Sequence, residues 1–268
     1  MDCYQKIFIK AFSKSQPMIH SHRIYSTAKA ASAHLCISLL IGILVAAVVF
    51  GFWYPYPYRE LAGGMHLFWI LMVIDVVCGP LLTAVIYNPK KSRRELILDF
   101  SVIGLLQITA LAYGLYSISL ARPVALVFEA DRMVAVSAAS IFPAEEKNLS
   151  WTGPVLMGTR EPKDGQETLK SVGLSLQGIE PSARPGWWQD YALSIPQVQK
   201  KMKPLAPFRS GLSVDQQRTL DASVQKTKLS IEQLHYLPLV AGKNLDGWIA
   251  LLDGSAQIVG FTPLGGFN

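Results

Sequence analysis

Three long apolar runs decide most of what this chain can fold into. An α-helix rises about 1.5 Å per residue, so about 20 consecutive apolar residues cross a hydrocarbon core of roughly 30 Å. Residues 35–53 carry no charge, residues 65–87 carry only Asp75, and residues 96–120 carry only Asp99, in the first turn. No later stretch matches these in length without charge or proline. The expected fold is a membrane protein: three transmembrane α-helices followed by an exported α+β domain. The expected organisation is an N-terminal segment 1–33, a three-helix transmembrane domain 34–120 and a separate domain 121–268. Composition agrees, because 50% of the residues are hydrophobic and 16% are charged. Soluble domains are about one quarter charged, so a plain soluble domain and a disordered chain are both excluded.

Charge sets the orientation. The net charge is +6, with 10 basic and 5 acidic residues in 1–120 against 15 and 14 in 121–268. A nucleic-acid binder concentrates positive charge on its folded domain; this one is nearly neutral, so nucleic acid is excluded as a partner. Lys and Arg beside span ends stay on the cytoplasmic side. Lys6, Lys10, Lys14, Arg23 and Lys29 precede the first span, and Lys90, Lys91, Arg93 and Arg94 separate the second from the third. The connection between the first two spans has Arg59 alone. The N-terminus is therefore expected to be cytoplasmic and the C-terminal domain to lie across the membrane. Trp53, Tyr54, Tyr56 and Tyr58 read as an interfacial aromatic belt. The first run is long for a signal peptide and is followed by aromatics and prolines, so it reads as a retained anchor. The residues before Met18 have the look of an upstream extension, which leaves Met1 and Met18 as alternative starts.

The cysteines are Cys3, Cys36 and Cys78, so residues 121–268 cannot form disulfides or a CxxC site. Two hairpins are expected there: 124–128 with 133–137, and 248–252 with 256–261 across Asp253-Gly254-Ser255. Residues 211–236 favour helix, with Ser213 or Asp215 as its cap. The Pro- and Gly-rich stretch 143–210 reads as loops with short elements.

Asp75 is the most informative single residue. Inserting a mid-span carboxylate costs about 2.5–3.5 kcal/mol, so it should face protein or water. Gly79 and Pro80 follow one turn later, and Pro80 frees the carbonyl four residues back, that of Val76. The result is a polar notch. Gln107 lies at nearly the same depth on the third span, within a small and polar stripe of Gly104, Gln107, Leu111 and Gly114. Three readings stand: an internal Asp75–Gln107 contact, engagement of a partner's membrane helix, and a proton or ion pathway. Ser38, Gly42 and Ala46 form a small-residue face on the first span. Catalysis finds no support, since His20, His22, His34, His66 and His235 are scattered and HExxH, GxSxG, P-loop and GxGxxG motifs are all missing. No catalytic residue, metal or cofactor is expected. Trp187-Trp188 reads as core or as a partner or membrane contact. Lys200, Lys201 and Lys203 read as a solvated face or as a contact for anionic headgroups.

Several stretches together resemble the type IV pilin accessory proteins of the TfpX/TfpZ type. They are Gly63-Gly64 with Leu67-Phe68, IDVVCGPLLT (74–83), NPKKSRREL (88–96), QITALAYGLY (107–116) and RPVALVFEADRMVAVSA (122–138). The match runs in order over residues 34–140, and the ending WIALLDGSAQIVGF is similar too. The chain departs from the family in its long N-terminal segment and in Cys78, which stands where leucine is usual. The resemblance implies a multi-pass protein of the bacterial inner membrane with a periplasmic C-terminal domain. It also implies a chaperone-like accessory function, assisting assembly or stability of a cognate type IV pilin without catalysing a reaction. The lipid bilayer is then a partner, and other pilus-assembly proteins and a second copy of the chain are further ones left open. The expected partner-binding residues are Asp75, Gly79, Pro80 and Gln107 at the notch, and Arg122, Asp131 and Arg132 on the exported domain. A membrane-anchored sensor or ligand-binding protein is the alternative, although cytoplasmic segments of about 33 and 8 residues leave little room for an output module. An enzyme comes third, for want of a nucleophile–base pair.

Overall fold

The computed structural model describes residues 16–145, 149–242 and 244–267. In chain order the first half holds α1 (Gln16–Val48), a π-helical turn Val49–Trp53, the single turn α2 (Tyr58–Leu61) and α3 (Gly64–Val73). A second π-helical turn, Ile74–Cys78, leads into α4 (Gly79–Ile86), and α5 (Arg93–Ala121) follows. Three of these stretches, Ile24–Trp53, Gly64–Ile86 and Arg93–Ala121, are long and apolar enough to cross a membrane. The chain divides into two compact units. One contains α1 up to Ala47 with His66–Tyr116; the other contains Val48–Met65 with Ser117 onward.

In the helical unit, small residues let neighbours approach closely. Gly42 of α1 faces the Met72 sulfur of α3, and Gly114 of α5 faces Leu71. Ser92 caps α5 in a reciprocal box with Glu95, the Ser92 N–H donating to Glu95 Oε2 at 2.7 Å. Asp99, at the start of the third apolar run, pairs with Lys91 at 2.6 Å, and the same ammonium donates to the Ile86 carbonyl at the end of α4.

The second unit is built on a mixed sheet of eight strands. The strands are β1 (Pro123–Glu129), β2 (Arg132–Ser137), β3 (Val155–Thr159), β4 (Trp188–Asp190), β5 (Lys203–Pro204), β6 (His235–Ala241), β7 (Asn244–Leu252) and β8 (Ile258–Thr262). The order is β4-β3-β1-β2-β6-β7-β8, with β5 paired to β6 off this path. Both expected hairpins form: β1 pairs antiparallel with β2, and β7 with β8. Asp253 organises the second turn, its Oδ1 accepting from the N–H groups of Ser255 and Gln257. The parallel pairings β1–β3 and β2–β6 flank the central hairpin.

Alternation along the strands buries both faces. Trp248, Ala250 and Leu252 of β7 join Leu126, Phe128, Met133, Leu237 and Leu239 on one face. Ile249 and Leu251 join Leu220, Leu234 and Tyr236 on the other. Among the described residues the further α-helices are α6 (Gly165–Ser175), α7 (Tyr191–Lys201), α8 (Leu205–Ser210) and α9 (Val214–Thr227). Tyr191 and Val198 of α7 cover the first face, and Leu205 of α8 and Leu220 of α9 cover the second.

Three expectations for this unit are corrected. The stretch 143–210 is far more regular than loops, holding two 11-residue helices capped by Asp164 and Asp190. Their glycines and Pro196 masked the periodicity, and capping plus tertiary packing overrides such weak propensity. The helix expected over 211–236 stops at Thr227, where Lys228 adopts the left-handed conformation, and His235 already belongs to β6. Ser213, not Asp215, is its cap. Finally, Tyr54 and Tyr58, read as interfacial aromatics, are interior groups. Tyr58 and Leu61 belong to the sheet's first core, with Tyr58 edge-on to Phe261, and the fully buried Tyr54 donates its hydroxyl to the Ile118 carbonyl at 3.0 Å. The connection after the first apolar run is thus part of the sheet unit's core.

Candidate functional site

The notch forms around the π-helical turn Ile74–Cys78. In a π-helical register the N–H of residue i+5 serves the carbonyl of residue i. Proline at position 80 therefore leaves the carbonyl of Asp75 without a donor, not that of Val76 as regular α-helical geometry predicts. Gln107 of α5 supplies the missing donor, its Nε2 reaching the Asp75 carbonyl oxygen at 3.1 Å. Gly79 makes this approach feasible: a Cβ there would overlap the Gln107 amide. The expected Asp75–Gln107 contact thus exists, but through the backbone. The Asp75 side chain is a different matter. The residue is 9% exposed, and its Oδ1 is buried without a hydrogen-bond partner among the described residues.

The other half of the Gln107 amide is fixed by a residue that sequence reasoning passed over. Its Oε1 lies 2.6 Å from His34 Nε2, and His34 Nδ1 lies 2.6 Å from the fully buried Thr83 Oγ1. The network assigns the proton: Gln107 Nε2 donates to Asp75, so Oε1 must accept, and Nε2 of His34 must carry the hydrogen. His34 Nδ1 faces the Thr83 hydroxyl, which can donate or accept at that position. The signal was present, because His34 precedes Ser38, Gly42 and Ala46 at intervals of four on one face of α1.

Around the carboxylate lies a cleft of about 210 Å³. His34, Ile37, Ser38, Ile41 and Gly42 of α1 form one wall, Gly104, Gln107, Ile108 and Leu111 of α5 the other, and Met72 and Asp75 complete the lining. Mostly apolar walls, with His34 and Gln107 already bonded to each other and one Asp75 oxygen left without a partner, suit a guest that carries a hydrogen-bond donor or a cation on an apolar stem. Burying an unpaired charge costs several kcal/mol, so such a group gains most when its counter-charge arrives.

The site residues expected on the sheet unit do not gather. Arg122 is 6% exposed and structural in its contacts, donating to the carbonyls of Ser119 and Ser150 and stacking on Trp151 at 4.3 Å. Asp131 and Arg132 pair with each other at 2.8 Å in the β1–β2 turn, and Arg132 lies over the Phe267 ring. The Trp187 ring packs against the guanidinium groups of both Arg160 and Arg184, and Trp188 donates its indole N–H to the Ser182 carbonyl. Arg160 makes a two-pronged bridge to Glu167, which holds that carboxyl down at about 2. Burial pushes the Glu129 carboxyl up. Among the described residues no three His, Cys, Asp or Glu side chains gather as metal ligands would.

Comparison with known proteins gives this geometry a family. The family described as Fimbrial assembly protein FimB matches residues 22–63, the stretch that includes His34, Ser38, Gly42 and the buried Tyr54, Tyr58 and Leu61. A fimbrial assembly protein of serogroup I from Dichelobacter nodosus is 34% identical over 257 residues, covering 93% of this chain and all of that protein. The chain belongs to the fimbrial assembly protein family. The serogroup E1 protein of the same organism is 34% identical over the same length, and that of serogroups C1 and C2 is 43% identical over 123 residues, 46% of this chain and 94% of its own. The resemblance to type IV pilin accessory proteins drawn from residues 34–140 agrees with this membership. No solved structure matches.

Proposed function

We propose that this chain is an inner-membrane accessory protein that assists pilus assembly by binding a pilin, with no catalytic step. Its relatives' description as fimbrial assembly proteins supports the role, and the three long apolar helices support membrane anchoring. In this reading the apolar parts of Ile24–Trp53, Gly64–Ile86 and Arg93–Ala121, residues 35–53, 65–87 and 96–120, cross the bilayer. The Lys and Arg residues before the first apolar run and between the second and third runs keep those ends in the cytoplasm, and the sheet unit is periplasmic. A pilin held in the same membrane by its apolar N-terminal helix would lie against the cleft walls of α1 and α5. Its positive N-terminal amine would meet Asp75.

The observation that carries the reading is the buried Asp75 carboxylate, with one oxygen unpaired at the edge of an apolar cleft. A charge pair formed there serves selectivity more than raw affinity. The test is photo-crosslinking in intact membranes from probes at Ile41 and Ile108, two exposed cleft-wall positions, with and without Asp75→Asn. The expected result is a pilin adduct that weakens at least tenfold in the variant while protein level and protease resistance hold. A collapse of protein level with Asp75→Asn would make Asp75 structural, and no adduct from either probe would overturn the helix-binding reading.

A further inference from the structure

A loop of the sheet unit, residues 150–154, is tied to the ends of two apolar runs. The third run ends at Leu120. Just after it, Arg122 donates from Nη1 to the Ser119 carbonyl at 2.7 Å and from Nη2 to the Ser150 carbonyl at 3.4 Å. The first run ends at Trp53, and the loop touches that end as well. A Cβ placed on Gly153 would lie 3.4 Å from the Phe52 carbonyl oxygen and 3.5 Å from the Pro55 ring. Gly153 has φ 93°, a backbone conformation that side chains disfavour, so glycine serves both the turn and the approach.

Strand register gives the loop its level. β1 opens at Pro123, directly after the third run; β3 lies parallel to it, with Val155 opposite Ala125. A strand rises about 3.3 Å per residue, so β3 enters the sheet within about 7 Å of the level at which β1 does. Leu149, before the loop, packs against the cluster of Val124 and Ala125 at the start of β1. The residues between are thus held where the two apolar runs end.

Trp151 stands at the tip. The Thr152 N–H donates to Ser150 Oγ at 3.3 Å, which tightens the turn, and the Arg122 guanidinium lies 4.3 Å from the Trp151 ring. Covering Arg122 occupies one face of the indole and leaves the residue 65% exposed. Val155 and Leu156, which follow the loop, are exposed too, and residues 149–159 contain no charge. In water this is a poorly satisfied surface. At a membrane–water boundary, an indole finds acyl carbons for its body and headgroup oxygens or water for its N–H.

We infer that the loop 150–154 lies in the interfacial layer of the bilayer, with Trp151 as its anchor. This rests on the proposed crossing of the membrane by the first and third runs, whose ends set the depth. The partner is lipid of any headgroup charge, because the loop offers an indole and aliphatic groups while the Arg122 guanidinium is buried behind them.

The test uses the full chain carrying Cys3→Ser, Cys36→Ser and Cys78→Ser, reconstituted in vesicles of phosphatidylcholine alone or mixed with phosphatidylglycerol. An environment-sensitive fluorophore is attached through Thr152→Cys, an exposed site that leaves Trp151 in place, or through Val214→Cys on α9, exposed as well. The expected result at 152 is at least twofold quenching by lipid with a nitroxide on its headgroup, weaker quenching from a nitroxide at the chain end, and no difference between the two compositions. Position 214 should be quenched by iodide and not by lipid. A probe at 152 that iodide reaches as freely as 214, in a protein that resists carbonate extraction, overturns the inference and leaves the membrane crossing standing. Shielding from both quenchers also overturns it, since protein then covers the loop. So does lipid quenching confined to vesicles with phosphatidylglycerol, because charge would then hold the loop in place of the indole. A protein that carbonate extracts loses the crossing itself, and the inference falls with it.

Discussion

Replacing Leu61 with Ala should destabilise a sheet whose first strand begins 62 residues later in the chain. Leu61 is 2% exposed, and with Tyr58 it packs in a core shared with Leu126, Phe128, Leu237 and Ala250. Losing three buried carbons costs about 2.4 kcal/mol in transfer alone. The cavity left behind raises this to about 3–5 kcal/mol. Against a typical total of about 5–15 kcal/mol, that is a large fraction. The assay is urea-dependent proteolysis of the full chain in detergent, following the fragment that begins near residue 117. Leu169→Ala is the matched control, because the same chemistry at a 75% exposed position should change stability by no more than about 0.5 kcal/mol. A fragment of residues 117–268 made alone lacks Tyr54, Tyr58 and Leu61, and should be cut rapidly even without urea. If Leu61→Ala behaves like Leu169→Ala, or the fragment alone resists protease like the full chain, the connection after α1 is not part of the core and the reasoning fails.

Two further outcomes follow from the same contacts. Gly79→Ala should displace the Gln107 amide from the Asp75 carbonyl and destabilise the helical unit by about 1–3 kcal/mol. Gly104→Ala, with nothing near its Cβ, should leave the unit unchanged; equal thermal transitions for the two by circular dichroism in detergent would refute the close approach. The second outcome concerns alkaline pH. Burial pushes the Tyr191 hydroxyl, which donates to the Ala256 carbonyl, up to about 12. The unfolded phenol ionises near pH 10, so stability is intact below that value and falls as pH rises from about 10 to 12. Tyr191→Phe should flatten this decline between pH 9.5 and 11.5 in urea titrations, while Tyr54 and Tyr58, raised by burial as well, retain part of it. An unchanged pH slope would show that Tyr191 does not titrate as a buried group.

Much of the candidate site was legible in the residue order, because the features involved are local. A carboxylate in an apolar run, a Gly-Pro step after it and a glutamine at matching depth on another run are all visible without coordinates. Asp75, Gly79, Pro80 and Gln107 were singled out on that basis, and the helices do bring them together. What the sequence could not reveal was the register. One extra residue in the turn Ile74–Cys78 moves the freed carbonyl from Val76 to Asp75 and turns the expected side-chain contact into a backbone one. The donor that meets this carbonyl comes from another helix, Gln107 of α5, itself held by His34 of α1.

The sequence by itself determined the three apolar helices, the two hairpins and the lack of disulfides after Cys78. Periodicity, turn chemistry and composition act within a few residues, and distant neighbours rarely override a run of 20 apolar side chains. Only the tertiary structure decided that Tyr54, Tyr58 and Leu61 complete a sheet formed far downstream, and that Arg122 holds a loop instead of facing outward. It alone turned the apolar face of α6 away from the core. Burial is a property of the assembled fold: the same tyrosine is an interfacial anchor or a core residue according to what the rest of the chain brings against it.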